Sequence, residues 1–596
     1  MSRRTVHRPR PDRNVLVSRI DVSIRLPARS AAVDTDIPWT RIRGEAARRF
    51  GITRFRPGQR ELIESVLAGR DALGILPTAA GKSLCYQLPA LFLDGAVVVV
   101  SPLIALMQDQ LNHLKQADID AARLDSTLSR KEQQREEREM AAGSRNVVLL
   151  SPERLLDPQH IEPLKRRGVA LIVVDEAHCV SQWGHDFRPS YLHLRHVIGE
   201  LGRPPVLALT ATAAPDRVQD ILESLGIPGA QVIYGGVERE NLTFEVLRTV
   251  NRKEKERALL EVLESTPGST IVYVTTVNGA NELHEWLQER GISTERYHGR
   301  LGRRERLAAQ ERFMSGRCRV MVATSAFGLG VDKADVRCVV HWNFPDSVDS
   351  YYQEAGRAGR DGRPARCVLL YRLEDRRVWS FLLAGKYPRE EEIVRLLRAL
   401  EKTPHAECGL TLPEIAEQSR LTRHRAAVIA LALEAADAIE RAGMRLRARR
   451  AMTDQARKQF AGEFASRYSA DRERLRAMMH YADSTICRMQ FLREYFGESS
   501  GERCGRCDNC LRPPHPARAL APRPGRGSAT GSVRRLMRGE SVHHFCFGSG
   551  EVRRIEGDQV IVDFIRGGER RVLASYLEPP PTKPTNDRSL RSPTRS

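Results

Sequence analysis

The sequence predicts an α/β protein with two tandem lobes, each a parallel sheet covered by helices. A helical or winged-helix-like region, a small cysteine-rich module and a small C-terminal β-barrel are predicted to follow. Three observations support this: a strand and helix alternation up to about residue 375, four cysteines between residues 487 and 510, and alternating apolar residues between 541 and 578. At 596 residues the chain is too long for one hydrophobic core, so several domains are expected.

Short apolar runs alternate with helical segments in both lobes. The runs are 96–100, 147–150, 171–174 and 206–209 in the first lobe, and 269–274, 319–323, 338–342 and 367–371 in the second. This rhythm is typical of parallel sheets whose crossover connections are helices. Gly235 and Gly236 interrupt it and mark the boundary between the lobes.

The segments beyond Asp375 follow other patterns. Residues 412–439 read as two helices joined by a turn at 419–422, which fits a helix-turn-helix or winged helix and fits a plain helical bundle equally well. Residues 541–578 alternate apolar positions between glycines, which predicts a small β-barrel of about five strands.

The composition indicates a partner of opposite charge. The formal net charge is +20 and the isoelectric point is about 9.8, which favours nucleic acid, although a basic protein without such a partner has the same composition. No run reaches the roughly 20 apolar residues of a membrane span, and no secretory signal is recognisable. We therefore expect a cytoplasmic protein with no membrane contact. The arginine- and proline-rich residues 1–40 are expected to be a disordered arm.

A candidate phosphate-binding loop follows the apolar residues 72–76. It consists of Thr78, Ala79, Ala80, Gly81, Lys82 and Ser83. Such a loop presents backbone N–H groups to phosphates, while Lys82 reaches the terminal phosphates and the Ser83 hydroxyl holds Mg²⁺. The usual first glycine of the pattern is Leu76 here, so by itself the loop is as consistent with chance as with nucleotide binding.

An acidic pair after the apolar run 171–174 strengthens the interpretation. Asp175 at the end of a strand is expected to ligate Mg²⁺, and Glu176 is expected to orient or deprotonate the attacking water. Acidic pairs also begin helices, but that alternative weakens once Gly81 and Lys82 are considered together with the pair.

These residues belong to an ordered set of motifs by which the chain resembles the RecQ helicases, from about residue 50 to 375 and again around the cysteines. The matching stretches are 55–59, 81–83, 101–106, 151–155, 175–178, 181–189, 209–213, 326–333 and 352–362. The resemblance implies two RecA-like lobes and an ATP-dependent 3′-to-5′ DNA helicase acting in repair or recombination. Its expected partners are single-stranded DNA and forked or branched duplexes, in the cytoplasm and associated with the nucleoid.

The resemblance also implies roles for individual residues. Gln59, in one motif with Arg56, would read adenine, since a carboxamide can bond both N6 and N7. Gln353, Arg357 and Arg360 of the second lobe would face the phosphates and stabilise the transition state, unless the arginines contact the DNA backbone or form surface pairs.

The aromatic loop after the acidic pair is the expected DNA contact. Trp183 and Phe187 would stack on unpaired bases with Arg188 beside them, although packing of these rings in a core is the alternative. Thr210 and Thr212 resemble the motif that transmits the nucleotide state to the DNA surface.

Four cysteines have the spacing of a structural zinc site. Cys487 precedes Cys504, Cys507 and Cys510, and four thiolates suit a closed tetrahedral Zn²⁺ site that folds a small module. The spacing also resembles the RecQ zinc module. The alternative is that these four cysteines are reduced, buried thiols. Cys408 and Cys546 have no partners at the spacing of metal ligands, and we interpret them as structural.

Three departures from the family pattern matter. Ala79 stands where the family usually has glycine. If the backbone there has a positive φ, alanine costs about 1–2 kcal/mol and weakens nucleotide binding about 5- to 30-fold. The helical region lies before the zinc segment, whereas the family's winged helix usually follows it. Residues 543–579 resemble the Tudor-like barrel that ends UvrD-type helicases, which implies contact with a partner protein such as RNA polymerase or a repair factor.

Two rival functions remain open from the sequence. One is an RNA helicase with the same motor, and the other is a DNA-binding protein whose ATPase site has decayed, as Ala79 allows. The predicted organisation is an arm (1–40), RecA-like lobes (41–235 and 236–375), a helical, winged-helix-like region (376–465), a zinc module (466–514), a linker (515–535), a β-barrel (536–580) and a disordered tail (581–596).

Overall fold

The computed structural model contains two parallel sheets, a winged-helix-like region, a cluster of four cysteines and a small antiparallel sheet. Within the described residues, no helix has both the length and the apolar character needed to cross a bilayer. The structure describes residues 37–578 except 79, 103, 126–127, 129, 142–145, 181–190, 192, 212, 214, 329–332, 402–408, 436–437, 443–444, 450–452, 499–500, 512–535, 545–547, 557–558, 566–567 and 575–576.

The first lobe is built on seven parallel strands in the order β3-β4-β2-β5-β6-β1-β7. They are β1 (Ala72–Ile75), β2 (Ala96–Val100), β3 (Ala121–Leu124), β4 (Val147–Leu150), β5 (Val169–Val174), β6 (Val206–Thr210) and β7 (Gln231–Tyr234). In β2 every residue is buried, and alternate valines enter two separate cores, one on each face of the sheet. Parallel strands buried on both faces are expected to be continuously apolar, which is why this sheet was predictable.

Nine helices cover the sheet of the first lobe in the described residues. They are α1 (Trp39–Phe50), α2 (Gln59–Leu67), α3 (Leu84–Gln87), α4 (Ile104–Gln116), α5 (Arg130–Ala141), α6 (Pro152–Leu155), α7 (Pro158–Arg167), α8 (Leu194–Glu200) and α9 (Pro215–Leu225). Helix α1 begins at Trp39, so the predicted end of the disordered arm at residue 40 falls inside a helix. Ile42 and Ala46 of α1 are buried against the lobe, and this burial stabilises a segment whose composition resembles the preceding arm.

The second lobe has six parallel strands in the order β10-β11-β9-β12-β13-β8. They are β8 (Leu242–Arg248), β9 (Ser269–Tyr273), β10 (Thr294–Tyr297), β11 (Val320–Ala323), β12 (Val336–His341) and β13 (Ala365–Tyr371), with α10 (Arg252–Ser265), α11 (Val277–Gln288), α12 (Arg303–Met314) and α13 (Val348–Ala355). The residues between β7 and β8, 235–241, form the interlobe linker. At Gly235 a Cβ atom would lie 2.4 Å from Leu76 and 3.0 Å from the Pro57 carbonyl oxygen, so the first lobe requires glycine there.

The second lobe and the cysteine-rich module share one hydrophobic core. Helices α14 (Arg376–Lys386), α18 (Asp454–Asp483), α19 (Arg488–Tyr495) and α20 (Asp508–Leu511) belong to this part of the chain. Tyr481 of α18 and Phe491 of α19 pack in the same core as Tyr351 of α13. Helix α18 runs without interruption across the predicted domain boundary at residue 465, because it contains no proline and only one glycine.

The inserted region between α14 and α18 is winged-helix-like. It consists of α15 (Glu390–Glu401), β14 (Leu410–Thr411), α16 (Leu412–Gln418), α17 (Arg423–Ala435), β15 (Ile439–Ala442) and β16 (Arg445–Ala448). The strands form an antiparallel sheet in the order β14-β16-β15, with the β15–β16 hairpin in the position of a wing. The predicted turn at 419–422 separates α16 from α17, and the small sheet favours the winged helix over the plain helical bundle.

The C-terminal segment forms a five-stranded antiparallel sheet. Its strands are β17 (Ser541–His544), β18 (Gly548–Glu556), β19 (Gln559–Phe564), β20 (Gly568–Leu573) and β21 (Leu577–Glu578), in the order β20-β19-β18-β17-β21. The strand count agrees with the prediction. In the described residues no pairing of β20 with β21 closes the sheet, so a barrel is not confirmed.

Candidate functional site

The predicted phosphate loop connects β1 to α3 at the carboxyl edge of the first sheet. Gly81 has a φ of 73°, and a Cβ atom there would lie 2.8 Å from Nε2 of Gln59. Glycine is therefore required by both backbone conformation and space. Lys82 and Ser83 follow directly at the start of α3, and Ala80 is buried. Ala79, the departure from the family pattern, lies outside the described residues.

Gln59 at the start of α2 holds this loop. Its Nε2 donates to the carbonyl oxygens of Ala80 at 2.9 Å and Gly81 at 3.0 Å, and its Oε1 accepts from the Arg56 N–H at 2.8 Å. The side chain is buried, with 3% of its surface exposed. Both ends of the carboxamide thus bond to protein in this conformation. Reading adenine would require these bonds to exchange for bonds to the base, so the predicted role of Gln59 remains a prediction.

The acidic pair lies at the carboxyl end of β5. Asp175 accepts from the Glu176 N–H at 3.0 Å and from the Ser101 hydroxyl at 3.3 Å. Burial and the adjacent Glu176 raise the pKa of Asp175 to about 6, while nearby Lys82 opposes that shift. Two buried carboxylates beside a lysine form a donor set that a hard divalent cation would stabilise, so the acidic pair has suitable chemistry for Mg²⁺. The assignment of Asp175 and Ser83 as its ligands stays a prediction.

A polar chain that the sequence did not reveal connects the acidic pair to β6. Nδ1 of His178 lies 3.3 Å from a carboxylate oxygen of Glu176 and 3.0 Å from the Thr210 hydroxyl. Glu176 has a φ of 49°, a left-handed conformation that turns its side chain toward this histidine. His178 and Thr210 are buried, so the two motifs are linked away from solvent. The sequence placed His178 and Thr210 in two matching motifs, 175–178 and 209–213, but gave no sign that their side chains meet.

The second lobe approaches the phosphate loop through the end of α13. A Cβ atom on Gly356 would lie 2.9 Å from Cβ of Thr78, so the Gly356 backbone packs closely against the Thr78 side chain across the lobes. Burial lowers the pKa of Arg239, and the nearby Arg360 and Arg56 lower it further, although Cys367 and Tyr352 oppose the shift. Arg360 of the second lobe and Arg56 of the first thus lie near the same guanidinium.

The other two predicted residues of the second lobe lie deeper. Gln353 and Arg357 line a cavity of about 250 Å³ together with Tyr273 and Trp379. Arg357 is buried, and its guanidinium lies against Gly328. The catalytic roles of Gln353, Arg357 and Arg360 stay predictions.

The four predicted cysteines converge. Their sulfur atoms all lie within 4.8 Å of one another, with 4.0 Å between Sγ of Cys504 and Cys510 and between Sγ of Cys487 and Cys507. A tetrahedral Zn²⁺ site with Zn–S bonds of about 2.3 Å places its sulfurs about 3.8 Å apart. The cluster therefore fits a closed zinc site and not four separately buried thiols.

A buried ion pair that the sequence analysis missed supports the cysteine cluster. Arg488, directly after Cys487, donates to both carboxylate oxygens of Asp508 at 2.9 and 3.0 Å. Asp508 also accepts from the Val246 N–H of β8 at 3.3 Å. The charged residues beside Cys487 and Cys507 were the available signal for this pair, which joins the cluster to the second lobe.

Comparison with known proteins agrees with this geometry. Residues 56–221 match the DEAD/DEAH box helicase model, residues 254–362 the helicase conserved C-terminal domain, and residues 446–511 the RecQ zinc-binding domain. A probable ATP-dependent DNA helicase RecS of Bacillus subtilis is 41% identical over 356 residues, which are 59% of this chain and 71% of that protein. The chain belongs to the RecQ family of helicases.

This chain spans less than two thirds of the length of another RecQ relative. The ATP-dependent DNA helicase RecQ of Bacillus subtilis is 36% identical over 464 residues, which are 77% of this chain and 65% of that protein. Among solved structures, the Mycobacterium smegmatis helicase Lhr bound to ssDNA and AMP-PNP has a TM-score of 0.46 and 21% identity, covering 70% of this chain and 61% of that chain. That likeness is too low to support a conclusion.

Membership of the RecQ family confirms the predicted pair of lobes and the predicted zinc module. None of the three family matches extends beyond residue 511, so the resemblance of the C-terminal sheet to a UvrD-type Tudor-like barrel is not confirmed. Three predicted DNA contacts, Trp183, Phe187 and Arg188, lie outside the described residues, as do Thr212, Cys408 and Cys546.

Proposed function

We propose that this chain is an ATP-dependent 3′-to-5′ DNA helicase of RecQ type, which couples ATP hydrolysis to movement on single-stranded DNA and to duplex unwinding. The contact between Gly356 and Thr78 is the observation that carries the proposal. It brings the arginine-bearing turn of the second lobe to the phosphate loop of the first, as hydrolysis at a lobe interface requires.

The chemistry follows from the side chains around that contact. Lys82 would bind the terminal phosphates, and Asp175 with Ser83 would hold Mg²⁺. When bound, the ion supplies positive charge that neutralises the developing phosphate charge. Glu176 would hold the attacking water and accept its proton, while Arg360 would approach the phosphates as the lobes close. Hydrolysis would then depend on the relative position of the lobes.

The proposed coupling to DNA runs through the segment that carries Trp183, Phe187 and Arg188. The described residues on either side of it both adjoin the acidic pair. Val180 ends a 3₁₀ turn that begins at Ala177, and the Tyr191 hydroxyl donates to the Asp175 carbonyl oxygen at 3.3 Å. A DNA strand bound by the aromatic segment would therefore displace residues adjacent to the two carboxylates.

Hydrolysis of ATP by the purified chain, with and without single-stranded DNA, tests the proposal. We expect DNA to stimulate the wild type, and we expect Lys82→Ala to hydrolyse almost no ATP under either condition. Lys115→Ala, which removes an exposed lysine of α4, is the matched control and should behave as wild type. Equal and negligible rates in wild type and Lys82→Ala would instead favour a DNA-binding protein with a decayed ATPase site.

Strand displacement distinguishes the remaining alternatives. DNA duplexes with a 3′ tail, a 5′ tail or a fork, compared with the same duplexes in RNA, report polarity and substrate together. We expect the 3′-tailed and forked DNA to be unwound and the RNA duplexes to remain paired. Unwinding of RNA alone would favour the RNA helicase. A role in repair or recombination and association with the nucleoid, which the resemblance to RecQ helicases implies, belong to the same proposal.

We also propose that the C-terminal sheet contacts a second protein, as its resemblance to a Tudor-like barrel implies. Three apolar side chains of this segment are available to such a partner: Ile565 is 83% exposed, Met537 68% and Ile555 41%. RNA polymerase is the first partner to test, by co-purification with the full chain and with a chain lacking residues 536–580. Retention of the polymerase after this deletion would remove the proposal.

A further inference from the structure

The interlobe linker is bound by the zinc module. Glu238, in the middle of the linker, accepts from Arg506 at 2.5 Å and from Arg493 through its other carboxylate oxygen. Arg493 lies on α19, and Arg506 lies between two of the cysteines that form the zinc cluster. Arg506 also donates to the carbonyl oxygen of Leu242 at 3.3 Å, just beyond the linker. All three charged side chains are partly buried, so solvent screens these pairs less than it screens exposed ones.

The next residue of the linker holds the turn that carries the two predicted catalytic arginines. Residues 356–363 are called the arginine segment here. Arg239 donates to the carbonyl oxygens of Gly356 at 2.7 Å and Gly359 at 2.6 Å. Asn241 donates to Gly359 at 2.8 Å and to Arg363 at 2.9 Å. Carbonyl groups at the C-cap of α13 and in the turn after it thus accept hydrogen bonds from linker side chains.

These two sets of contacts are connected through a single peptide bond. Consecutive Cα atoms lie about 3.8 Å apart, so the zinc module and the arginine segment hold adjacent residues of the linker. Arg506 also lies 3.5 Å from the carbonyl oxygen of Arg239. Gly359 has a φ of 55°, and a Cβ atom on it would lie 2.5 Å from Nδ2 of Asn241. The arginine segment therefore packs tightly against the linker.

We propose that the zinc module positions the arginine segment through Glu238 and Arg239, which makes these two linker side chains positioning residues for ATP hydrolysis. The inference rests on the proposed ATPase function and deepens it, because it assigns the zinc module a part in the hydrolytic site beyond folding. The module would stabilise one placement of Arg357 and Arg360 relative to the phosphates. Loss of either linker side chain would misplace both arginines while the nucleotide-binding loop stays intact.

Three variants test the proposal. Glu238→Ala and Arg239→Ala remove the two sets of contacts, and Glu240→Ala removes an exposed carboxylate of the same linker, for which the described residues contain no ion-pair partner. We expect the first two to lower kcat about tenfold or more, since a transition-state arginine contributes far more than that. Their affinity for a fluorescent ATP analogue should stay within about twofold of wild type. Glu240→Ala should match the wild type.

Hydrogen exchange gives a readout that does not depend on activity. The amides of Gly359 and Asp361 donate to the carbonyls of Val336 and Ala334 and so should exchange slowly. We expect both to exchange at least about fivefold faster in Glu238→Ala and Arg239→Ala but not in Glu240→Ala. The zinc content of each variant should remain at one ion per chain. Glu238→Gln, which keeps the shape of the side chain, serves as the milder variant if Glu238→Ala loses zinc.

The outcomes separate this inference from the proposed function. Unchanged exchange at Gly359 and Asp361 in Glu238→Ala overturns the inference. So does a kcat of Glu238→Ala and Arg239→Ala equal to that of the wild type, provided that the wild type hydrolyses ATP. A wild type with no DNA-stimulated hydrolysis overturns the proposed function, and the positional link between module and segment is then decided by exchange alone. A weakened analogue affinity with unchanged exchange would mean that Glu238 acts on the nucleotide loop, which also contradicts the inference.

Discussion

Arg217 of α9 in the first lobe donates to Asp349 of α13 in the second lobe at 3.4 Å, and both side chains are almost fully buried. The same carboxylate accepts from the hydroxyl of Tyr495, on α19 of the zinc module, at 2.6 Å. One carboxylate thus binds residues from both other parts of the motor. Asp349 lies in the first turn of α13, the helix that leads to Arg357 and Arg360. The Arg217–Asp349 pair therefore joins the first lobe to that helix.

Removing this pair should impair hydrolysis in a non-additive way. We expect Arg217→Ala and Asp349→Ala each to lower kcat/KM for ATP about tenfold or more, because each leaves a buried charge without its partner across the lobes. The double variant should be no worse than the poorer single variant, since both single variants lose the same interlobe contact and Asp349→Ala also loses the bond from Tyr495. Steady-state kinetics of all four proteins checks this. Multiplicative losses would show that the two residues act separately.

Gln59 should determine nucleotide choice as well as the conformation of the phosphate loop. We expect Gln59→Ala to weaken ATP binding about tenfold and to bring the affinities for ATP and GTP close together, since a bidentate carboxamide contributes about 1–3 kcal/mol of discrimination. Competition binding with both nucleotides measures the effect. Arg60→Ala removes the exposed neighbour that pairs with Glu64 and is the control. Equal weakening of ATP and GTP would mean that Gln59 only holds the loop.

The contacts of His178 predict a defect in coupling more than in hydrolysis itself. Thr210→Val removes the hydroxyl that faces His178 and keeps the side-chain shape, so we expect basal ATP hydrolysis within a few-fold of wild type. Stimulation by DNA should fall about tenfold, because the link from Glu176 to β6 is broken. Thr210→Ser, which restores a hydroxyl, should recover the stimulation. A failure of Thr210→Ser to do so would indicate a packing role.

Zinc should be necessary for the cysteine-rich module to fold onto the second lobe. We expect about one zinc ion per chain in the wild type and loss of the metal in Cys504→Ser, because four thiolates are needed to close the site. Metal analysis and thermal unfolding measure the content and the stability. Cys318→Ser, whose thiol donates to the Val320 carbonyl, is the matched control and should retain the metal. Full zinc content in Cys504→Ser would contradict the cluster as the binding site.

Local patterns in the sequence were enough to predict the two lobes. Strands such as Ala96–Val100 and Val147–Leu150 coincide with apolar runs, because a strand buried on both faces leaves a continuous hydrophobic signature. Strands β3, β7, β8 and β10 were not predicted, since their exposed or polar positions dilute that signature. The turn at 419–422 was predictable, whereas the choice between bundle and winged helix depended on β15 and β16.

Motif order by itself determined the phosphate loop, the acidic pair and the zinc ligands, because each of these depends on residues with a recognisable spacing. Only the tertiary structure decided that Glu238 meets Arg493 and Arg506 of the zinc module and that Asp349 meets Arg217 and Tyr495. These partners lie more than a hundred residues apart, in a chain with 95 lysines and arginines, so no spacing distinguishes one arginine from another. Folding selects the pairs by burying particular charges together, since a charge removed from water needs a partner close by.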